Sequence, residues 1–408
     1  MKSLRFCFPT TFYPPHSFGG DAVAVQRLAR ALVRRGHEVT VIHDVDAFEL
    51  ASGGVKLPIR ESDEGVEVIP LRSRARGLSP LLAHQSGMPL VHRATLEALF
   101  RSRSFDVVNF HNTSLMGGPG LFGLAGDSIR AYTAHEHWLI CPTHVLWRNK
   151  REICPKRQCV RCQLINRRPP QLWRYLPGMA RHYEEIDIFI AMSDFSAARH
   201  AEFGFPHEMA VLPPFADEPV ADAVVNSADT SSPHPVPYFF FAGRLEQIKG
   251  LQTVIPLLSA IPGVDLVVAG QGSWREKLEE QASGNVKFLG ALTREDLSRY
   301  YRNAIATLAP SITYETFGLT IIESFAHGTP VIARRLGPFP DIIERSGGGI
   351  LFGSDDELVE AMRTLAANAG VRRELGALAR DGYEKWWSEE AVVPAYVSLV
   401  ESASRRRR

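Results

Sequence analysis

Short apolar runs alternate with amphipathic stretches along most of the chain. Residues 21–35 place apolar side chains at helical spacing and end at Gly36, which predicts a helix. The apolar runs of the first half predict buried strands over residues 4–9, 39–43, 107–110, 131–134 and 186–192. Strands and helices in alternation are typical of a parallel sheet whose crossover helices cover both faces.

The alternation is interrupted at residues 216–237, where four prolines lie among Ala, Asp and Ser, and we interpret this segment as a linker. After it, strands are predicted over residues 238–241, 266–269, 287–289, 306–309 and 331–333, and helices over 274–281 and 316–327. The sequence therefore predicts an α/β fold with two doubly wound parallel-sheet domains, residues 1–215 and 238–388. Because such sheets bind ligands beyond the carboxyl ends of their strands, we expect a site in a cleft where the two domains face each other.

Composition excludes several classes of protein. The 408 residues are 45% hydrophobic and 22% charged, which is ordinary for a soluble globular protein of about two domains. Lys plus Arg (46) balances Asp plus Glu (45), so the net charge gives no reason to expect a nucleic-acid partner. The first apolar run stops at Pro9, too short for a signal peptide, and no apolar stretch approaches the roughly 18 residues of a membrane span. We expect a cytoplasmic enzyme.

Candidate chemistry follows the predicted strands. Gly19-Gly20 comes after the first strand and is either a ligand loop or a plain strand-to-helix turn. In the second domain, Arg244 and Lys249 follow the first strand and lie beside a helix start, where they could hold a diphosphate or be ordinary surface cations. Glu315 and Glu323 are separated by seven residues, and the backbone N–H groups of a helix start between them form a second anion site.

Taken together, these motifs resemble those of the retaining glycosyltransferases of family four. In the second domain the resemblance rests on Arg244 with Lys249, Gly270-Gln271-Gly272, Phe288-Leu289-Gly290, and Glu315-x7-Glu323 enclosing Phe317-Gly318. The first domain agrees in Gly19-Gly20, in residues 106–111 and in Thr133-Ala134-His135. The resemblance covers nearly the whole chain and implies the GT-B fold, two Rossmann-like domains with the sugar donor bound mainly by the second.

The resemblance also implies a role for each matching residue. Arg244 and Lys249 would neutralise the departing diphosphate, and Glu315 would bind the hydroxyls of the donor sugar. Glu323 would bind the nucleotide ribose, and His135 would lie close to the transferred sugar. The remaining donor contacts implied by the family are backbone groups of Gly19, Gly20, Gly270, Gly272, Leu289, Gly290, Phe317, Gly318 and Leu319. A final helix within residues 389–408 would cross back to the first domain and end in a basic tail.

The implied reaction moves a hexose-type sugar from a UDP- or GDP-sugar to an acceptor hydroxyl, in glycan, polysaccharide or glycolipid synthesis. The alternatives are another GT-B enzyme (a nucleotide-sugar epimerase or a sugar phosphorylase), or a redox- or metal-sensing protein with an inert cleft. Cations and helix-start amides can stabilise the leaving group, so no catalytic metal is expected. Asp44-Val45-Asp46 forms the D-x-D pattern of metal-dependent transferases of a different fold, but it lies far from the predicted donor residues and is not expected to hold a metal.

An insert at residues 137–170 carries four of the five cysteines in the spacing C-x12-C-x4-C-x2-C. These residues are Cys141, Cys154, Cys159 and Cys162. The set matches a structural zinc site, with an iron–sulfur cluster, a redox disulfide pair and unligated thiols as alternatives. The insert directly follows His135, so we expect it at the acceptor side of the cleft.

Residues 148–181 contain ten cations and one acid, interleaved with aromatic and aliphatic side chains. This pattern indicates either attraction to anionic lipid head groups or a lipid-linked acceptor, or a plain solvated basic face. The expected partners are thus a nucleotide-sugar donor, a glycan or lipid-linked acceptor and the inner face of an anionic membrane, with no nucleic acid.

Overall fold

The computed structural model describes residues 3–219 and 232–407. The chain forms two compact units, one of residues 1–213 with 393–408 and one of residues 214–392. We call them unit 1 and unit 2. Most of the predicted linker, residues 220–231, lies outside the described residues, as does Arg408 of the predicted basic tail. No helix of the described part combines the length and the apolar character needed to cross a membrane.

Unit 1 is built on an eight-stranded sheet in the order β10-β9-β6-β5-β1-β2-β4-β3, and only the β3–β4 pair is antiparallel. Its strands are β1 Arg5–Thr10, β2 Glu38–Asp44, β3 Ser62–Asp63, β4 Val66–Leu71, β5 Val107–Phe110, β6 Ile129–Ala134, β9 Ile188–Ala191 and β10 Met209–Val211, with the separate hairpin β7 Trp147–Arg148 and β8 Glu152–Ile153. Its helices are α1 Gly20–Arg34, α2 Val45–Ala51, α3 Leu78–Ser86, α4 Arg93–Ser102, α5 Cys159–Ile165 and α6 Asp194–Glu202.

Unit 2 is built on a six-stranded parallel sheet in the order β13-β12-β11-β14-β15-β16. Its strands are β11 Tyr238–Ala242, β12 Asp265–Ala269, β13 Val286–Gly290, β14 Thr307–Ala309, β15 Val331–Arg334 and β16 Gly349–Phe352. Its helices are α7 Arg275–Gln281, α8 Arg294–Asn303, α9 Leu319–Ala326, α10 Phe339–Ser346, α11 Asp355–Ala367 and α12 Ala369–Gly382. Helix α13, Glu389–Arg407, begins in unit 2 and has its larger part in unit 1.

The central strands are apolar on both faces because helices cover both faces of each sheet. All residues of β1 after Arg5 are buried, and so are the first four of β11. In unit 1, α13 packs on the sheet through Tyr396, whose ring lies 6.0 Å from that of Phe6 and whose hydroxyl accepts from Asn109 at 3.0 Å. The predicted two doubly wound α/β sheets are confirmed.

Candidate functional site

An ion pair between Lys249 and Glu315 lies at the carboxyl edge of the unit 2 sheet. Lys249 follows β11 and Glu315 follows β14, its neighbour in the sheet. Lys249 Nζ donates to Glu315 Oε1 at 2.6 Å, and the Ser311 hydroxyl donates to the same oxygen at 2.8 Å. Ser311 was missed by the sequence analysis, because only the folded loop brings it against the carboxylate.

Glu315 is ionised at neutral pH although it is largely buried. Burial by itself raises the pKa of a carboxyl group. Here the charge and hydrogen bond of Lys249, the Ser311 hydroxyl and the charge of Arg244 outweigh burial and lower the pKa below its usual 4.5. The structure thus brings together Arg244, Lys249 and Glu315, three residues that the sequence analysis singled out.

Three glycines hold the loops of this edge in contact, because any side chain there would clash with a carbonyl oxygen. A Cβ on Gly250 (φ +82°) would lie 2.0 Å from the oxygen of Pro310. On Gly270 (φ +133°) it would lie 1.8 Å from the oxygen of Gly243, and on Gly272 it would lie 2.2 Å from that of Leu245. Gly270 and Gly272 therefore fix the loop after β12 against the loop that carries Arg244.

Helix α9 starts three residues later than predicted, at Leu319 instead of Thr316. Its N-cap residue Gly318 has no side chain to accept from the first-turn N–H groups. N–H groups of this kind can bind an anion, and the anion site at this helix start stays a prediction. Glu323 lies in the second turn of this shorter helix, closer to its start than expected. The Tyr301 hydroxyl, a contact that the sequence analysis missed, donates to Glu323 Oε2 at 3.1 Å.

Leu289 and Gly290 end β13 at the same edge of the sheet. Gly290 takes φ +77°, and its carbonyl accepts from Gly270 N at 2.7 Å. The turns after β12 and β13 are therefore joined by the backbone of two predicted donor-binding glycines.

His135 follows β6 in unit 1 and pairs with a second histidine. His111 Nδ1 and His135 Nε2 are 2.8 Å apart, and His111 follows β5, the neighbouring strand. Burial lowers the pKa of His135 to about 4 and that of His111 well below its usual value, so both rings are neutral at neutral pH. His111 belongs to the first-domain motif of residues 106–111, and no role was predicted for it.

Gly19 and Gly20 open α1 after β1, as expected, with Gly19 as the N-cap. Asn112, next to His111, donates to the Asp21 carboxylate at 3.2 Å. The carboxyl ends of β1, β5 and β6 thus gather the predicted glycine turn, His111 and His135 at one edge of the unit 1 sheet.

The four cysteines of the insert are free thiols around the β7–β8 hairpin and α5. Cys162 Sγ accepts from Asn149 N at 3.4 Å, and Cys154 Sγ donates to the carbonyl of Lys156 at 3.5 Å. No three of these sulfur atoms lie within 4.8 Å of one another in the described part of the chain. A zinc ion bound at about 2.3 Å by each sulfur requires sulfur–sulfur distances shorter than 4.8 Å. Zinc in the thiol cluster stays a prediction.

Ligand atoms that do lie within 4.8 Å of one another belong to Asp44, Asp46 and His92 in unit 1. Asp44-Val45-Asp46 was not expected to bind a metal, because these residues lie far from the predicted donor residues. The missing signal is His92, which lies 46 residues after Asp46 and meets the two carboxylates only in the folded unit.

Comparison with known proteins finds similarity along most of the chain. The model of Glycosyltransferase Family 4 matches residues 18–218, and that of Glycosyl transferases group 1 matches residues 225–382. The D-inositol 3-phosphate glycosyltransferase of Xylanimonas cellulosilytica is 27% identical over 425 residues, which cover 95% of this chain and 93% of the relative.

Solved structures share the fold. Sucrose-phosphate synthase from Thermosynechococcus elongatus superimposes with a TM-score of 0.72 at 18% identity, over 99% of this chain and all of that one. The Anabaena protein HepE, solved with UDP and glucose, gives a TM-score of 0.66 at 16% identity, over 98% of this chain and all of that one. These similarities confirm the predicted GT-B fold.

Proposed function

Because the chain belongs to the group 1 glycosyltransferases of family four, we propose that it is a retaining hexosyltransferase that uses a nucleoside-diphosphate sugar. The observation that carries the proposal is the Lys249–Glu315 ion pair, whose carboxylate lies four residues before the start of α9. It combines a fixed cation, an ionised acid and backbone N–H groups at one strand edge, which are the groups that a sugar diphosphate needs.

In the proposed reaction the bond between the sugar and the diphosphate breaks, and the acceptor oxygen takes its place on the same face of the sugar. The proton of the acceptor hydroxyl passes to the departing diphosphate oxygen. Negative charge develops on the departing diphosphate while the sugar becomes oxocarbenium-like. Lys249 and Arg244, with the first amides of α9, stabilise that negative charge where it develops, and each such preorganised donor is worth about 3–4 kcal/mol in comparable sites. No metal is required in this scheme, because cationic side chains neutralise the diphosphate.

Glu315 has two tasks in this proposal. Its ionised carboxylate holds the Lys249 ammonium in place, and its other oxygen accepts hydrogen bonds from the donor sugar. Glu323 binds the ribose, and the backbone around Leu289 and Gly290 faces the base. His135 of unit 1 is the proposed catalytic histidine. UDP and GDP are the proposed carriers, and the presence of UDP in the complex of the similar HepE structure supports the first.

The test uses water as the acceptor, so the natural acceptor need not be known. The full chain is incubated with α-linked UDP- and GDP-hexoses, and proton NMR follows the first anomer of the released sugar. A retaining transferase releases the α-anomer together with the nucleoside diphosphate. Sugar interconversion without diphosphate release indicates an epimerase, and strict dependence on inorganic phosphate indicates a phosphorylase. Either outcome refutes the proposal.

We also propose that residues 148–181 of unit 1 form a face that contacts an anionic membrane carrying the acceptor. Large apolar side chains stand out from it, with Leu164, Leu172, Tyr175 and Leu176 between 59% and 63% exposed. Eight of the ten cations counted in the sequence are exposed around them: Lys150, Arg151, Lys156, Arg157, Arg161, Arg167, Arg168 and Arg181. Apolar anchors ringed by cations suit the surface of an anionic bilayer.

Not every residue of the basic segment belongs to that face. Trp173 is buried, and the Arg174 guanidinium lies 4.7 and 4.8 Å from the ring centres of Trp173 and Trp138. These three side chains pack against one another within unit 1. They are therefore unsuitable as membrane-binding variants, because changing them would test stability.

Vesicle sedimentation tests the membrane contact. We expect the protein to sediment with vesicles containing phosphatidylglycerol and to stay in solution with vesicles of pure phosphatidylcholine. The double variant Leu172→Ser with Arg168→Glu should bind the anionic vesicles at least about tenfold more weakly. Leu378→Ser with Arg373→Glu, an exposed leucine and an exposed arginine of unit 2, makes the same changes of charge and apolar surface as the matched control and leaves the binding unchanged. Equal binding of both double variants contradicts the proposed surface.

A further inference from the structure

Three buried side chains with potential metal-ligand atoms meet where β2 ends in unit 1. Asp44 is the last residue of β2, Asp46 lies in the first turn of α2, and His92 precedes α4. Asp44 and Asp46 are 0% exposed and His92 is 5% exposed. One ligand atom from each lies within 4.8 Å of the other two.

Each carboxylate is held by one oxygen and leaves the other without a partner. Asp44 Oδ1 accepts from Ala47 N at 2.9 Å as the cap of α2. Asp46 Oδ2 accepts from the Ser73 backbone N–H at 2.8 Å and from the Ser73 hydroxyl at 2.7 Å. Asp44 Oδ2, Asp46 Oδ1 and His92 Nε2 are all buried without a hydrogen-bond partner.

Such an arrangement is unfavourable unless something positively charged lies between the atoms. Buried polar atoms are almost always paired, and buried carboxylates are paired with cations or bind metals. Within residues 3–219 and 232–407, neither carboxylate forms an ion pair with a lysine or an arginine. The local charge of the two aspartates therefore has no protein counterion.

The spacing suits one small ion. His92 Nε2 lies 3.9 Å from Asp44 Oδ2. Two ligands that each bind at about 2.1 Å can be at most about 4.2 Å apart across the same ion, so the pair needs little movement to share it. The anchors on Ala47 and Ser73 fix both carboxylates in the required orientation before an ion arrives.

We propose that Asp44, Asp46 and His92 bind a divalent transition-metal ion, Zn²⁺ or Mn²⁺, through Asp44 Oδ2, Asp46 Oδ1 and His92 Nε2. Imidazole suits zinc and carboxylates suit manganese, whereas magnesium and calcium prefer sets made of oxygen alone. The ion ties the β2–α2 junction to the start of α4 and to the loop at Ser73. Its three ligands belong to unit 1, whereas Lys249 and Glu315 belong to unit 2, so binding of the ion is tested separately from the proposed donor site.

The competing occupant is a proton. Burial, and then the nearby charge of Asp46, raise the pKa of Asp44 to about 7, against the opposing hydrogen bonds from backbone N–H groups of α2. A protonated Asp44 could donate to one of the two other unpartnered atoms and leave no room for a metal. The experiment must therefore count metal ions.

The test measures the metal content of the full chain by plasma mass spectrometry, after stripping and after reloading with Zn²⁺ or Mn²⁺. We expect one equivalent that persists in Cys154→Ser, which impairs the thiol cluster, and in His84→Phe, the control at another buried histidine of unit 1. His92→Phe and Asp46→Asn should each weaken binding about 10- to 100-fold and abolish the rise in unfolding temperature on reloading. Equal content and equal unfolding shifts in wild type and both variants overturn the proposal.

A spectroscopic readout covers the case in which the variants do not fold. Co²⁺ is added to the stripped wild-type protein and its visible and near-ultraviolet absorption is recorded. Ligation by two carboxylates and an imidazole gives weak metal-centred bands, and these persist in Cys154→Ser. Any sulfur-to-cobalt charge-transfer band comes from the thiol cluster and falls in that variant. Absence of bound cobalt, or charge-transfer bands alone, overturns the proposal.

Discussion

The substitution Lys249→Ala separates the structural role of the Lys249–Glu315 pair from its catalytic one. The two side chains are 23% and 25% exposed and their charged atoms are 2.6 Å apart. Removing the ammonium leaves the Glu315 carboxylate with Ser311 and the charge of Arg244. A lost hydrogen bond to a charged, largely buried group costs about 1.5–3 kcal/mol, which lowers the unfolding temperature by roughly 3–12 °C for a unit of this size.

The expected effect on turnover is much larger than the effect on stability. Lys249 is proposed to meet charge that develops only as the diphosphate departs, and removing one preorganised donor of that kind lowers kcat about 10²- to 10³-fold. A domain with about 5–15 kcal/mol of stability stays folded after the structural loss. The loss of turnover therefore cannot come from unfolding at the assay temperature.

The assay measures nucleoside-diphosphate release at 25 °C next to thermal unfolding of the same sample. Arg373→Ala, which removes an exposed cation of unit 2, serves as the control and leaves both quantities unchanged. If Lys249→Ala lowers the unfolding temperature but keeps turnover within about tenfold of wild type, the pair is structural only and the donor-site reasoning is refuted.

The pH dependence of stability gives a second readout of the same pair. The pKa of Glu315 in the folded chain lies below its usual 4.5, so its contribution is present above that pH and is lost as the pH falls through the lowered value. Lys249→Ala moves the pKa upward and makes this acid loss smaller, and Glu315→Gln removes it. Thermal unfolding of the three proteins from neutral pH to about pH 3 measures the difference.

Three further predictions concern a loop glycine of unit 2, a hydrogen bond of unit 1 and the proposed catalytic histidine. Gly250→Ala, whose Cβ would lie 2.0 Å from a carbonyl oxygen, should destabilise the protein by at least ~1–3 kcal/mol in thermal unfolding, whereas Gly284→Ala, with no atom within 4 Å, should be neutral. Tyr396→Phe removes the 3.0 Å hydrogen bond to Asn109 and should cost about 1 kcal/mol; no change would show that the bond contributes nothing. His135→Gln should lower turnover strongly, and because burial lowers the pKa of His135 to about 4, wild-type kcat should show no titration from this ring between about pH 5 and 8.

The sheets could be predicted from the sequence because their strands are buried on both faces. A short, continuous apolar run such as residues 238–241 is typical of a strand that is buried on both faces. The structure places β11 there, over Tyr238–Ala242. Strand β4 was missed, and it carries Pro70 and alternates in burial near the edge of the sheet. The start of α9 was misplaced because an apolar pattern does not record the non-helical backbone of Gly318, with φ −160° and ψ 67°.

Residues of the candidate site could be predicted from the sequence only where they directly follow a predicted strand. Lys249 and Glu315 could be named because each follows a strand, and adjacent strands bring them together. The contacts of Tyr301 and His111 depend on side-chain positions in the folded units and leave no local signal. His92 is the strongest case, because a histidine between two unremarkable stretches gains meaning only next to Asp44 and Asp46.

The most direct test of the proposed function is calorimetric titration of the full chain with UDP, GDP and ADP, without added metal and with Lys249→Ala in parallel. We predict that wild type binds UDP or GDP selectively and that the variant binds the same nucleotide at least about tenfold more weakly. If the folded wild-type protein binds none of the three, or if the variant binds as tightly as wild type, the proposed donor site is wrong.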